Sequence, residues 1–273
     1  TRKESSAASD VYKRQPLTGH YSVSYAKNIT GKFNLAPVEV AKGDTNLSFS
    51  GMTGNVEYAT GTKHGVVDLK TDKLVMSGQS ENSDIVSMAL QGITLESDMT
   101  PASNDMYVGT QKLTFKDWTI TSKEKPPVQF KDTTIAADVK EANSLLGAKM
   151  ALDFGMINVQ GKDMAGMKLA IDVQKLDSKA FKALNDVYEA ASRRMMQSKG
   201  EEQTPQFTPE EQQILKTNVE LLLAGNPTLA VSPLEVRTAN GTSTFNLNLD
   251  LAKPASMDAV SYTHLTLPTT PYV

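Results

Sequence analysis

Met167-Lys-Leu-Ala-Ile-Asp-Val173 alternates apolar and polar side chains with a period of two, and this stretch decides the fold class of the chain. Such alternation is typical of a strand with one buried face and one face in water. Residues 150–156 repeat the pattern one hairpin earlier. Strands of a buried parallel sheet are apolar throughout, so these segments instead predict a half-solvated antiparallel sheet.

The same alternation recurs along most of the chain, with turn residues between the segments. Further strands are predicted at residues 20–26, 46–59, 64–70, 73–79, 84–96, 107–121 and 128–139. The apolar phase slips between Phe115 and Trp118, which predicts a bulge or a short bend in that strand. Strand follows strand at hairpin distances, so the segments predict a long meander.

A helical pattern replaces the strands between residues 177 and 224. Asp177 or Ser178 is placed to cap a first helix with one apolar stripe. The stripe contains Phe181, Leu184, Tyr188, Ala191 and Met195.

A second helix begins with a recognisable cap after a polar link, residues 199–206. Thr208, Pro209 and Glu211 supply an N-cap hydroxyl, a proline at the first helical position and a carboxylate at the third. This helix is expected to end near Ala224, with Gly225 closing it.

Two further strands follow the helical pair. They flank Asn240-Gly241, a dipeptide that favours a type I′ hairpin turn because both central residues of that turn need positive φ. Pro233 has no N–H to donate, which predicts an edge position or a bulge for its strand. The predicted fold is therefore α+β and mainly β, a long curved antiparallel meander sheet with a helical hairpin inserted near residues 177–224.

The two ends of the chain are predicted to be non-native. Ser5–Gln15 back-translates in a single frame to a transposon-derived adaptor used to fragment DNA for sequencing, and residues 260–270 back-translate to its reverse complement. The expected organisation is a non-native tail at 1–15, a fragment of a β-rich domain at 16–259, and a second non-native tail at 260–273.

Composition excludes several functional classes. The net charge is -3, and the tails hold four basic but only two acidic residues, so the remainder is more acidic still. The chain has no cluster of Lys or Arg residues that would attract the phosphates of nucleic acid, so nucleic acid is not expected as a partner. The chain has no cysteine, which removes disulfides, thiolate metal sites and cysteine nucleophiles together.

The last third of the chain carries a family resemblance. Three parts carry it: the two helices, the segment Leu221-Leu-Leu-Ala-Gly-Asn-Pro-Thr-Leu-Ala-Val-Ser-Pro-Leu-Glu-Val236, and the strand at 245–251. Together they resemble the YdgA-like family of bacterial envelope proteins. Residues 108–115 and 168–173 resemble strands that precede the helical pair in that family. Residues 16–259 would then be a fragment of a YdgA-like domain.

The resemblance implies a location but no activity. Members of the family look like inner-membrane proteins with one short N-terminal anchor and a large domain in the periplasm. The anchor, and a further C-terminal region, would lie outside this fragment. Strand-rich organisation of this kind is similar to the long grooved sheets of AsmA-like proteins, a likeness of fold alone. The family has no established activity or catalytic motif, so no functional residue is carried over.

The residues themselves predict no catalytic, cofactor-binding or metal-ligating site. His20 and His64 are not in a metal-ligand spacing, and no nucleophile elbow occurs. Four aspartates alternate with apolar neighbours and are expected on the wet faces of strands: Asp117, Asp153, Asp172 and Asp250. Paired carboxylates could cleave glycosides, so a carbohydrate-active hydrolase stays open as an alternative.

The leading interpretation is a non-enzymatic envelope protein with a binding or scaffolding role. It would hold lipid, or a segment of another envelope protein, along an apolar sheet face, and it needs no cofactor. Methionines concentrate in and around the last strands before the helices, where core packing is the expected role. A purely structural module, with a dimer interface at Phe181, Tyr188 and Leu221 of the helical pair, is the other alternative.

Overall fold

A computed structural model describes residues 16–78, 85–197 and 206–253. The predicted tails, 1–15 and 260–273, lie outside the described residues, as does most of the polar link between the helices. The predicted class is confirmed, because thirteen strands form one antiparallel sheet and a helical pair is inserted late in the chain.

The strands follow one another along the chain as a meander. Their bounds are β1 Leu17–Val23, β2 Ile29–Leu35, β3 Val38–Lys42, β4 Thr45–Phe49, β5 Met52–Ala59, β6 His64–Ser77, β7 Ile85–Pro101, β8 Tyr107–Ser122, β9 Val128–Ala142, β10 Leu145–Val159, β11 Lys162–Asp177, β12 Thr228–Thr238 and β13 Gly241–Asp250. The order across the sheet is β1-β2-β5-β6-β7-β8-β9-β10-β11-β12-β13, and the β3–β4 hairpin joins it where β4 pairs with β6. Helices α1 (Ser178–Gln197) and α2 (Pro209–Ala224) lie between β11 and β12 in sequence.

Left-handed backbone conformations close two of the tight hairpins. Asn143 and Ser144, between β9 and β10, have φ of 53° and 60°, and Gln160 and Gly161, between β10 and β11, have φ of 54° and 79°. Two consecutive residues with positive φ match the right-handed twist of the flanking strands. Asparagine and glycine tolerate this conformation well, so local chemistry sets the register of these hairpins.

Two predictions about the last hairpin are wrong in detail. The β12–β13 hairpin forms, but Asn240 has no positive φ, so the predicted type I′ turn is absent there. The Thr238 side chain instead accepts from the Asn240 N–H and donates to the Gly241 carbonyl, which stabilises a different turn. Of the two alternatives predicted for Pro233, an edge position or a bulge, the edge position is wrong, because β12 lies between β11 and β13. The Ser232–Pro233 bond is cis.

A bend crosses the sheet where the apolar phase slips. Pairing is interrupted at Gly92, Lys116 and Asp132, while the register on either side of the interruption is unchanged. Gly92 and Asp132 have φ of 58° and 51°, so the backbone turns there without an added residue. The rings of Phe115 and Trp118 consequently lie 6.3 Å apart, as the predicted bend requires.

The described residues divide into two compact units. The larger unit contains residues 16–78, 85–140, 148–172 and 230–248, and it is made of strands. The smaller unit contains residues 141–147, 173–197, 206–229 and 249–253, including both helices.

Helix α1 buries only part of the predicted stripe. Ala191 is buried as predicted, together with Ala180 and Val187, whereas Phe181 and Tyr188 are exposed. Small side chains thus form the closely packed side of this helix, and the aromatic residues flank it. The Asp177 carboxylate accepts the Ala180 N–H at 2.8 Å, so Asp177 supplies the N-terminal cap.

Helix α2 begins as its sequence predicts. The Thr208 hydroxyl accepts the Glu211 N–H, and the Glu211 carboxylate accepts the Thr208 N–H at 2.8 Å. The Arg194 guanidinium of α1 donates to the same carboxylate at 2.6 Å. This hydrogen bond, with that from the Thr208 N–H, holds the pKa of Glu211 below its usual range. Gly225 ends the helix in an ordinary right-handed conformation, and Asn226 takes the left-handed one.

Candidate functional site

The pleat of the larger unit separates its side chains onto two faces with different chemistry. On each side of the bend, residues two apart in a strand share a face, and directly paired residues in neighbouring strands share it too. Across the bend the alternation reverses, so Phe115 and Trp118, three residues apart, share a face. In β6 the interruption falls between Thr71 and Lys73, and it therefore separates Asp68 from Leu74. The strand register therefore allows one face to be followed from strand to strand. We call the face that carries Leu74 and Trp118 the apolar face, and the face that carries Asp68 and Glu96 the charged face.

Two uninterrupted apolar rows cross six strands of the apolar face. The first row is Val38, Phe49, Leu74, Leu90, Trp118 and Phe130, and the second is Val40, Leu47, Met76, Met88, Ile120 and Val128. Val38, Val40 and Met76 are exposed, and the other members are half-buried. An apolar strip this long on accessible side chains is a typical mark of an interaction surface.

An aromatic cluster marks one end of these rows. The Trp118 ring lies 5.0 Å from that of Phe130 and 6.4 Å from that of Phe154, measured between centroids. Phe130 and Phe154 are also 5.0 Å apart. The rings are tilted against one another, the arrangement that aromatic pairs favour. The apolar surface thus continues from β9 onto β10.

A depression of the larger unit opens on the charged face. Its volume is about 720 Å³. Its lining includes Val66 and Asp68 of β6 but not Val67, and Ala230 and Ser232 of β12 but not Val231. Alternate residues of this kind identify the face. The structure therefore places this depression on the charged face, whereas the sequence predicted a groove along the apolar face.

A second depression continues the first along the same face. It encloses about 540 Å³ between β1 and β6, and Asp68 lines both depressions. One row of directly paired residues connects them, and its members are His20, Lys32, Asn55, Asp68, Glu96, Lys112 and Ala136. The two depressions together form what we call the transverse trough.

The carboxylates of the transverse trough differ in their partners. Asp98 pairs with His64 at 2.7 Å, Asp138 with Lys140 at 2.9 Å, and Asp172 with Lys149 at 3.4 Å. Asp68 and Glu96 stand directly opposite each other on β6 and β7, and neither forms an ion pair with any described residue. Like charges in this position repel, so the centre of the trough holds an unneutralised acidic pair.

The four carboxylates considered for hydrolysis do not assemble into a site. Only Asp172 lines the trough. Asp117 accepts from the Gln129 amide at 2.5 Å, Asp153 is bound by Lys168 at 3.2 Å, and Asp250 belongs to the smaller unit. Carboxylates that act as a pair on a glycoside must face each other across the bond, so these residues give no support to the hydrolase alternative.

The remaining candidates are distributed as follows. His20 lines the second depression and His64 binds Asp98. Among residues 16–78, 85–197 and 206–253, no group of three or more His, Asp or Glu side chains is arranged to hold a metal ion. Neither described helix is long and apolar enough to cross a membrane.

The methionines fit the expected core role only in part. Met150 and Met164 are 56% and 55% exposed, so core packing is the wrong interpretation for these two. Met156, Met167 and Met195 are half-buried, and the Met196 side chain lies outside the described residues. Flexible thioethers at accessible positions suit adaptable apolar surfaces.

Comparison with known proteins gives a family but no activity. Residues 1–265 match the model of a family described as a bacterial protein of unknown function, DUF945. The chain is 21% identical over 257 residues to Protein YdgA of Escherichia coli (strain K12), a match that covers 88% of this chain and 49% of that protein. The chain thus spans about half the length of this relative. No solved structure matches it significantly. The chain belongs to the DUF945 family of bacterial proteins, the YdgA-like family that its sequence resembles.

Proposed function

We propose that this protein is a non-enzymatic binding protein that holds the acyl chain of a lipid on its apolar face. The observation that carries the proposal is the pair of uninterrupted apolar rows, which are accessible along six strands. Each buried CH₂ group of a ligand contributes about 0.8 kcal/mol to binding. A strip without a single charged member is suited to many such contacts in series.

The dimensions of the strip fit a single chain lying across the strands. Neighbouring strands are about 4.8 Å apart, so six of them span about 24 Å, and the two rows are about 7 Å apart along each strand. One leaflet of a bilayer has a hydrocarbon depth of about 15 Å, half of the total. The strip is therefore long enough for an extended acyl chain and narrow enough to favour one or two.

The proposed location is the periplasm, with an inner-membrane anchor in the full-length protein. This location follows from the family resemblance, in which the large domain lies outside the cytoplasm. The lack of cysteine makes the domain indifferent to an oxidising compartment. A fusion of the full-length gene to a reporter that is active only outside the cytoplasm tests the location, and activity of a cytoplasmic reporter instead would contradict it.

Binding is tested with the single tryptophan of the chain, because Trp118 lies in the first apolar row. Titration with a 16-carbon fatty acid is expected to shift its emission to shorter wavelength. The double variant Met76→Gln/Met88→Gln places two polar amides side by side in the second row. Its affinity is expected to fall about tenfold, since two lost apolar contacts cost about 1.6 kcal/mol.

A matched control uses exposed apolar residues of the smaller unit. Ile214→Gln/Leu221→Gln makes a comparable change at 42% and 53% exposed positions of α2 and is expected to bind the fatty acid normally. The proposal fails if both double variants bind alike, or if Trp118 emission does not respond to the fatty acid.

The helical pair supports a second candidate function, self-association. Phe181 and Tyr188 of α1 and Leu221 of α2 are exposed, as a dimer interface at the helices requires. Exposed apolar residues also occur in the sheet, so exposure alone does not favour the helices. Light scattering on Tyr188→Lys/Leu221→Lys distinguishes an interface at the helices from one at the sheet. A dimer formed through the helices would dissociate in this variant, whereas a dimer formed through the sheet would persist.

A further inference from the structure

We propose that the transverse trough binds an extended, cationic polypeptide segment, with a Lys or Arg side chain seated at Asp68 and Glu96. This site lies on the face opposite to the apolar rows, so it is independent of the lipid proposed there. The partner is defined by its chemistry, an extended chain with spaced positive charges. The argument rests on the length of the trough, its small side chains and its charge.

The length of the trough fits an extended chain better than a small molecule. The two depressions reach from β1 to β12 and share Asp68. Ten strands lie along this path, which corresponds to about 43 Å at about 4.8 Å per step. An extended peptide covers about 3.3 Å per residue, so the trough accommodates roughly a dozen residues.

Small side chains line the trough on its β9–β12 side. Ala136, Ala151, Ala170 and Ala230 lie on four successive strands and leave room for a second backbone above the sheet. Large aliphatic residues at these positions would fill the space. The small side chains thus admit a chain that lies across the strands, and the charges determine which chain.

The charge of the lining favours a cation. The larger depression contains five carboxylates and two lysines, and one of these lysines, Lys149, is bound to Asp172. Asn55 and Glu96 are the residues directly opposite Asp68, so no cation faces Asp68 across either neighbouring strand. Lys112 lies opposite Glu96 on β8, but no ion pair joins the two.

The acidic pair indicates a ligand because it is costly in the free protein. Directly opposed like charges destabilise a sheet, and a bound ammonium or guanidinium group between them reverses the sign of the interaction. Anionic polymers, including nucleic acid, would meet the same charges as repulsion. A basic polypeptide is the partner whose charge and length both match.

The test uses a fluorescently labelled peptide of four Lys-Ala repeats with blocked ends. We expect it to bind the protein at 20 mM NaCl, with an affinity that falls at 300 mM NaCl. The double variant Asp68→Asn/Glu96→Gln keeps the shape of both side chains and is expected to bind about tenfold more weakly. Fluorescence anisotropy measures the affinities, and circular dichroism confirms that the variant is folded.

Two controls make the outcome decisive. Glu39→Gln removes a carboxylate of β3 that lines neither depression, and it is expected to bind the peptide as the unchanged protein does. A peptide of four Glu-Ala repeats is expected not to bind. Equal affinities for the double variant, the control variant and the unchanged protein would overturn the proposal, as would equal binding of the acidic peptide. Fatty-acid binding by the double variant is expected to be normal, which separates this site from the apolar face.

Discussion

Neutralising Asp68 is expected to make the free protein more stable. Asp68→Asn removes one of two like charges that stand directly opposite each other on β6 and β7, and it keeps the shape of the side chain. The residues paired with Asp68 on the two neighbouring strands, Asn55 and Glu96, carry no positive charge, so the substitution breaks no ion pair with them. Stabilisation by loss of a charge is the behaviour of a residue retained for binding.

The size of the effect follows from the separation of the two carboxylates. Directly opposed side chains place such charges about 6 Å apart, which gives a repulsion of about 0.7 kcal/mol in a water-like dielectric. Screening leaves about 0.6 kcal/mol at 10 mM salt and about 0.1 kcal/mol at 1 M salt, where the Debye length is about 3 Å. The gain in the free energy of unfolding should therefore nearly vanish at high salt.

Urea denaturation at 10 mM and 1 M NaCl measures this difference, because urea adds no ions. Trp118 emission reports on the larger unit, in which Asp68 lies. Glu39→Gln is the control, since Glu39 is paired only with Ser48 and faces no like charge there. The reasoning is refuted if Asp68→Asn is destabilised at low salt, or if its gain in stability is the same at both salt concentrations.

Three further predictions concern the scaffold. Thr208→Ala removes the cap hydroxyl of α2 and should lower the free energy of unfolding by about 1 kcal/mol in urea denaturation followed by helix circular dichroism. The hydrogen bond from Arg194, followed by that from the Thr208 N–H, lowers the pKa of Glu211 from its ordinary value of 4.5. The contribution of Glu211 to stability is therefore fully present above that value and is lost as the pH falls through the lower folded pKa; denaturation midpoints at pH 7, 4 and 3 test this order. Gly109→Ala should cost about 1–3 kcal/mol by thermal denaturation, because Gly109 has φ of 141° and a β-carbon there would collide with the Asp98 carbonyl oxygen.

The sequence predicts those features whose chemistry is local. The cap of α2 needs only Thr208 and Glu211, three residues apart, and it forms as predicted. The bend near Lys116 is visible as a phase slip within a single strand. Alternation over a few residues likewise identifies the strands of the meander, because the pleat has a period of two wherever it forms.

Features that depend on distant partners are not readable in the same way. Helix α1 has aromatic and small residues at helical spacing, and only its neighbours decide that Ala180 and Ala191 are buried while Tyr188 is exposed. The Asp68–Glu96 pair lies on two strands whose register the sequence does not determine. Once the register is known, the signal is plain, since both residues are polar members of alternating segments.

The distribution of buried side chains predicts how ligands act on stability. The buried hydrophobic residues of the described chain, Leu146, Ala180, Val187 and Ala191, all belong to the smaller unit. The larger unit therefore relies on its strand ladder and on half-buried rows, and a ligand on either face adds contacts that the unit lacks. A ligand at 100 times its Kd stabilises the folded form by about 2.7 kcal/mol, or about 5–10 °C in melting temperature. A fatty acid should raise the melting temperature reported by Trp118 emission by this amount and leave the melting temperature of the helix signal, which reports on the smaller unit, unchanged. An unchanged Trp118 transition at saturating fatty acid would contradict the idea that the apolar rows are a binding surface.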